Sequence, residues 1–128
     1  MKIAAPFATT LLALTVSANA NSYLCKVKKV ATAIEVPSKP YLAKHQPHVI
    51  VYDYGKSAIL QRCDIPDWKT EHECDKYQAD KIERNNSFGG KKYYYYRGQY
   101  DVQIFPNMTF VENNGRGMIA FGSCVVFQ

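Results

Sequence analysis

The sequence predicts an α+β domain in which an antiparallel β-sheet carries one main α-helix packed on it, the whole tied by disulfides. Three observations lead there. Several short apolar segments alternate and are separated by turn residues. One stretch, residues 70 to 84, has the spacing and start signal of a helix. All four cysteines fall in the part of the chain that follows an export signal.

The export signal comes first. Lys2 gives a short positive start, PFATTLLALTV supplies an apolar stretch, and Ser17-Ala18-Asn19-Ala20 offers the small-x-small pattern of signal peptidase sites. The apolar stretch is too short to span a bilayer, so residues 1–20 read as a removed signal peptide and 21–128 as a single secreted domain. No membrane segment is expected after residue 20. Removing Lys2 leaves 15 cations against 11 anions, a net +4 that permits an anionic partner without requiring one.

Cys25, Cys63, Cys74 and Cys124 form an even set in a small exported domain, which argues for disulfides. Three pairings are possible. Cys25 with Cys124 would tie the chain ends and contribute about 4 to 5 kcal/mol by loop entropy; Cys63 with Cys74 would close a short loop for about 3 kcal/mol. No CxxC or close Cys/His spacing supports a zinc site, and no metal or cofactor is expected.

Along the chain, VPSKPYLAKHQP carries Pro37, Pro40 and Pro47, which suits a loop with at most a short helical turn. HVIVYDYGKSAILQRC then reads as two strands around Tyr54-Gly55-Lys56-Ser57. At Thr70 a capping box with Glu73 opens the predicted helix. Cys74, Tyr77, Gln78 and Ile82 make its inner stripe, Asp75, Lys76, Asp80 and Lys81 its outer one, and Asn85-Asn86 its end. KKYYYY, YDVQIF, MTFVE and GMIAFGSCVVF return to strand, with Arg97-Gly98, Pro106-Asn107 and Asn113-Asn114-Gly115 between them. Asn114-Gly115 is the strongest hairpin signal of the chain.

Tyr23-Leu24-Cys25 just behind the cleavage site, with Cys124 near the C-terminus, resembles the Y/F/W-x-C pattern of secreted effector candidates of powdery mildew fungi. Phe110-Val111-Glu112-Asn113-Asn114 followed by Gly117-Met118-Ile119 resembles the last core hairpin of the guanyl-specific fungal ribonucleases, whose fold many of those effectors share. The resemblance implies a ribonuclease-like effector domain, delivery into plant cells, suppression of plant immunity and detection by an intracellular immune receptor. Host protein, RNA or both are the implied partners, and a monomer is expected.

Catalysis of that ribonuclease type needs a carboxylate base, a histidine acid and a cation. In the matching register the acid's place falls at Ala120 or Phe121, which cannot donate a proton. His72 belongs to the predicted helix, His45 and His48 to a proline-interrupted loop, and Glu112 to a strand end where a solvated carboxylate is expected. His45, His48 and Asp53 read as exposed polar residues rather than metal ligands. There is no G-x-S-x-G and no H-E-x-x-H. The expected protein is therefore a catalytically inactive scaffold with no catalytic residues. An active secreted ribonuclease, or an extracellular binding or inhibitor protein unrelated to ribonucleases, are the alternatives. Asn85-Asn86-Ser87 and Asn107-Met108-Thr109 match the N-glycosylation pattern.

KKYYYYRGQY, residues 91 to 100, supplies the candidate surface. In a strand, Tyr93 and Tyr95 point to one face, expected in the core against the Tyr77 and Ile82 stripe of the predicted helix. Tyr94 and Tyr96 point to the other and are free to stack on a partner. Lys91, Lys92 and Arg97 would form a charged rim, and Tyr100 would begin the next strand beside it. An RNA partner would use those cations for phosphates and the tyrosine faces for bases.

Overall fold

A computed structural model describes residues 20–33, 39–85, 87 and 89–127. The predicted signal peptide, apart from Ala20, lies outside the described residues. The elements are β1 (Asn21–Thr32), α1 (Lys39–His45), β2 (His48–Asp53), β3 (Ala58–Asp64), β4 (Glu73–Gln78), β5 (Lys81–Asn85), β6 (Gly90–Tyr95), a 3-10 turn (Tyr96–Gly98), β7 (Tyr100–Ile104), β8 (Thr109–Asn113) and β9 (Met118–Val126). The strands form one antiparallel sheet in the order β4-β3-β2-β1-β9-β8-β7-β6-β5, curled into a half-barrel.

The α+β expectation is corrected on this point. The protein is almost all β, and its one α-helix among the described residues is the seven-residue α1 in the proline loop. The predicted helix at 70 to 84 is instead β4 and β5. Among the described residues a helix-on-sheet core of the guanyl-specific ribonuclease kind is therefore absent, although the Asn114-Gly115 hairpin joins β8 and β9 as expected.

β4 and β5 are the two edges of the sheet, yet only Ala79 and Asp80 separate them. Following the antiparallel pairings around the sheet shows that the two strands run in the same direction. They are halves of one bent segment that leaves β3 and joins β6. At the bend the Ala79 N–H donates to Ala58 O (2.9 Å) and the Asp80 N–H to Tyr94 O (2.7 Å), so pairing passes from one edge to the other without a gap. Strands that switch partners at a bend are a known way to turn a sheet corner, and here the bend links the two edge strands.

The curl encloses the apolar face of each strand. HVIVYD and YDVQI alternate residue by residue, with Val49, Val51, Val102 and Ile104 inward. Tyr93, Phe110 and Leu60 are the largest apolar side chains that are fully buried. Cys25–Cys124 joins β1 to β9 within this interior, and Cys63–Cys74 joins β3 to β4 on the outer face. Their sequence separations of 99 and 11 residues correspond to about 4 to 5 and about 3 kcal/mol of stabilisation by loop entropy. Two such bonds mark a chain built for an oxidising, secretory environment.

β1 carries a bulge between Val27 and Lys29, which lets it turn around β9. Gly122 stands opposite, and a side chain there would collide with the Lys26 carbonyl and the Phe110 ring. Gly122→Ala is expected to lower stability by about 2 to 3 kcal/mol, because neither backbone nor a buried ring gives way cheaply. Urea denaturation of the two proteins checks this.

Candidate binding surface

Two buried carboxylates organise the inside. Asp53 ends β2 pointing inward and is 2% exposed. It accepts hydrogen bonds from Arg84 Nη1 (3.0 Å) and Nη2 (2.8 Å), from the Tyr93 hydroxyl (2.7 Å) and from the Gly55 N–H (2.7 Å). Burial alone would raise its pKa, but the bonds from Arg84, Tyr93 and Gly55 outweigh it and hold the carboxyl below its ordinary value. Tyr93 is pushed far above its ordinary value by burial and by Asp53, so it stays a neutral donor.

Glu112, inward on β8, corrects a second expectation: it is not a solvated strand end but 1% exposed. Arg62 Nε donates to both its oxygens (3.2 and 2.9 Å) and the Tyr100 hydroxyl to Oε2 (2.6 Å). Among the described residues no buried side-chain nitrogen or oxygen lacks a partner. Asp53 thus accepts four hydrogen bonds, while Glu112 accepts from two donors, Arg62 and Tyr100.

The histidines lie apart from these carboxylates. His45 Nδ1 is bonded to the Ile65 carbonyl (2.7 Å) and its ring packs on Tyr41. His48 meets His72 edge-on with ring centroids 4.8 Å apart. His72 precedes β4 in a loop rather than sitting on a helix. Asp53 faces the other side of the sheet from His48, and no cluster of metal-ligating side chains occurs among the described residues.

The tyrosine run divides as its alternation requires. Tyr93 is fully buried beside Ile82, its register partner on β5. Tyr95 packs on Tyr77 with centroids 4.8 Å apart, so the expected Tyr77 contact exists, made by a strand instead of a helix. Lys91 also turns inward: its ammonium bonds the Tyr23 hydroxyl and lies 4.9 Å from that ring's centroid. Tyr100 is buried against Glu112. Of the candidate surface residues, Lys91 and Tyr100 therefore belong to the interior.

Lys92, Tyr94, Tyr96 and Arg97 remain outside. The Tyr94 and Tyr96 rings stand 5.9 Å apart at 34°, and Tyr96 is 56% exposed. Lys92 and Lys81 place their ammonium groups 5.0 and 5.7 Å from the Tyr94 centroid. The Tyr94 hydroxyl donates to Glu83 (2.9 Å), and Asp80 accepts from the Tyr96 N–H (2.8 Å), fixing the start of the 3-10 turn. Gln99, left-handed at φ 52°, ends that turn with its N–H on Tyr96 O. Burial and the bond to Glu83 raise the Tyr94 pKa, while that same bond lowers the Glu83 pKa. Asp101, paired with Tyr94 in register, is raised by burial.

Sequence reasoning reached Tyr94, Tyr96, Lys92 and Arg97 but missed the acids around them. Lys81, Lys92 and Arg97 are matched by Asp80, Glu83 and Asp101, so the surface is mixed in charge rather than basic. It missed the buried ion pairs as well. The signal was present: Val49, Val51 and Asp53 share one strand face, as do Ile82 and Arg84.

Asp53 has a lowered folded pKa, so its contribution is fully present above the ordinary Asp value of 3.8 and is lost as pH falls through the lower folded value. Asp53→Ala should cost about 3 to 5 kcal/mol by leaving Arg84 unpaired, and its remaining stability should fall less steeply below about pH 4 than that of the wild type. Chemical denaturation across pH checks both. Tyr93→Ala should cost about 3 to 5 kcal/mol, while Tyr96→Ala should stay within about 0.5 kcal/mol, a contrast thermal melts read directly. No protein family, curated protein or solved structure matches this chain.

Proposed function

We propose that the protein is a secreted, non-enzymatic binding protein that engages a host plant protein through the outer face of β5, β6 and the 3-10 turn. One observation carries this reading: two neighbouring tyrosine rings, Tyr94 and Tyr96, are held on a rigid, disulfide-tied sheet with a mixed-charge rim. Tyrosine and arginine supply much of the energy of protein interfaces, and a pre-fixed aromatic pair loses little entropy on binding. The Tyr23-Leu24-Cys25 resemblance to mildew effector candidates supplies the context: secretion, entry into plant cells, suppression of immunity and detection by an intracellular receptor. The four hydrogen bonds that Asp53 accepts give it a structural role, which supports a binding reading over catalysis at that residue.

Protein is favoured over RNA by the charge balance. Tracking a phosphate backbone requires a surplus of cations, whereas this rim sets three carboxylates against three cations.

The mature chain, produced in leaf cells, should lower the oxidative burst that a bacterial flagellin peptide triggers. A Tyr94→Ala, Tyr96→Ala, Arg97→Ala triple variant should restore the burst while accumulating and melting like the wild type. Equal suppression by the triple variant would move the site elsewhere, and no suppression by the wild type would remove the effector reading. In parallel, fluorescence anisotropy with single-stranded RNA should show no binding that falls steeply between about 50 and about 200 mM salt. Such salt-dependent binding, abolished in the triple variant, would replace the protein partner with RNA.

A further inference from the structure

A groove of about 670 Å³ runs between α1 and the outer face of β1, β2 and β3. It lies within the size range of small-molecule sites, which are mostly apolar with a few converging polar groups. Leu24 and Ile50 face each other across β1 and β2, Leu42 closes over them from α1, and the Cys63–Cys74 disulfide forms one end. Lys26, His48 and His72 gather on one side: Lys26 pairs with His48 in register, and His48 touches the His72 ring. No lining residue is a carboxylate.

Asp67 pairs with Lys44 (3.1 Å) and approaches His45 (3.5 Å) at the end of α1, but the strands beside the Lys26 side of the groove carry little acid. NSYLCKVKKVAT and MIAFGSCVV, the neighbouring strands β1 and β9, contain no Asp or Glu, and the single acid of β2, Asp53, points into the interior. Exposed Lys26, Lys28 and Lys29 are thus unopposed on this face. His48 reports the resulting field. Burial, and then the positive charges of His72, Arg62 and Lys26, hold it below the ordinary histidine value against the pull of its bond to the Gln46 carbonyl.

We infer that this groove binds a single amphipathic anion, an aliphatic chain lying on Leu24, Leu42 and Ile50 with a carboxylate or phosphate head at Lys26, His48 and His72. The anionic head pairs with Lys26 and favours the protonated form of His48, and the chain covers apolar side chains that the seven-residue α1 leaves partly open. This site is separate from the Tyr94–Tyr96 surface and does not depend on it. A free fatty-acid type molecule and a membrane lipid offer the same chemistry.

Calorimetric titration of the mature protein with octanoate, decanoate and dodecanoate tests the inference. Affinity should rise roughly three- to four-fold per added methylene. Dodecanol and dodecyltrimethylammonium should bind at least about ten-fold more weakly than dodecanoate, as should dodecanoate to exposed-site variant Lys26→Glu, since a hydrogen bond to a charged group is lost. The Tyr94→Ala, Tyr96→Ala variant should bind like the wild type. NMR titration should raise the pKa of His48 when dodecanoate is present. Vesicles containing phosphatidic acid separate the sources: chain-dependent binding of free dodecanoate with no vesicle pelleting identifies a free ligand, and pelleting that dodecanoate competes away identifies a membrane lipid. Equal binding of dodecanoate and dodecanol, or pelleting that dodecanoate does not affect, would overturn the site, as would absence of any binding.

Discussion

The Asp53–Arg84 pair is the contact on which the rest of the architecture rests. Asp53 ends β2, the third strand from the β4 edge, while Arg84 lies on β5 at the opposite edge. Only a curled sheet brings these together, and once together they hold the curl. Opening the sheet would leave a guanidinium and a carboxylate unpaired in an apolar interior, at a cost of several kcal/mol. Tyr93 and Gly55 fill the remaining acceptor positions, so the pair is part of a saturated network rather than a lone ion pair. Arg62–Glu112 repeats the device between β3 and β8.

That curl explains which parts of the fold the sequence disclosed. The β2–β3 hairpin, the β6 to β9 strands and the inward and outward tyrosines follow a clean period of two and were legible. Residues 70 to 84 were not. Tyr77 and Ile82 both face the interior, opposite Leu60 and Tyr93, but they are five positions apart, so the alternation slips by one residue at the Ala79–Asp80 bend. The slip leaves apolar residues at 74, 77 and 82, which imitates a helical stripe, and Thr70 with Glu73 imitates its cap. What decides the matter is long-range: Ala58 and Tyr94 bind the bend from two different strands, and Cys63 fixes Cys74 opposite itself. Local spacing holds no trace of either partner. Glu112 was misjudged for a related reason, since a lone acid at a turn looks solvated until Arg62, fifty residues earlier, is known to reach it.

The tyrosine surface inherits its precision from the same constraint. A strand alternates faces strictly, so burying Tyr93 against Ile82 commits Tyr94 to the outside. Asp53 holds the Tyr93 hydroxyl and thereby fixes the register of β6 against β5. Tyr94 and Tyr96 are thus oriented by an interaction on the opposite face of their own strand. Lys91, drawn in to Tyr23, reduces the basic rim that the sequence suggested, and this lost cation is part of why the surface suits a protein better than a polyanion.

A net charge of +5 conceals an uneven distribution. Among the described residues, the acids outside the interior fall between positions 64 and 83 and at Asp101: Asp80, Glu83 and Asp101 ring the Tyr94–Tyr96 surface, while Asp67 pairs with Lys44 of α1 and Glu73 with Lys69. Lys26, Lys28 and Lys29 stand on the opposite wall of the half-barrel with no acid on β1 or β9 to answer them. Fields of this kind act locally, because salt screens exposed charges beyond about 10 Å while a half-buried group such as His48 feels its neighbours with less attenuation. The groove therefore has its own electrostatic character, set by Lys26 of β1, His48 of β2 and His72 before β4. Between it and the tyrosine surface lies a packed interior crossed by Tyr23–Lys91 and Asp53–Arg84. The two surfaces share no residue, so substitutions at Tyr94 and Tyr96 leave the lining of the groove intact.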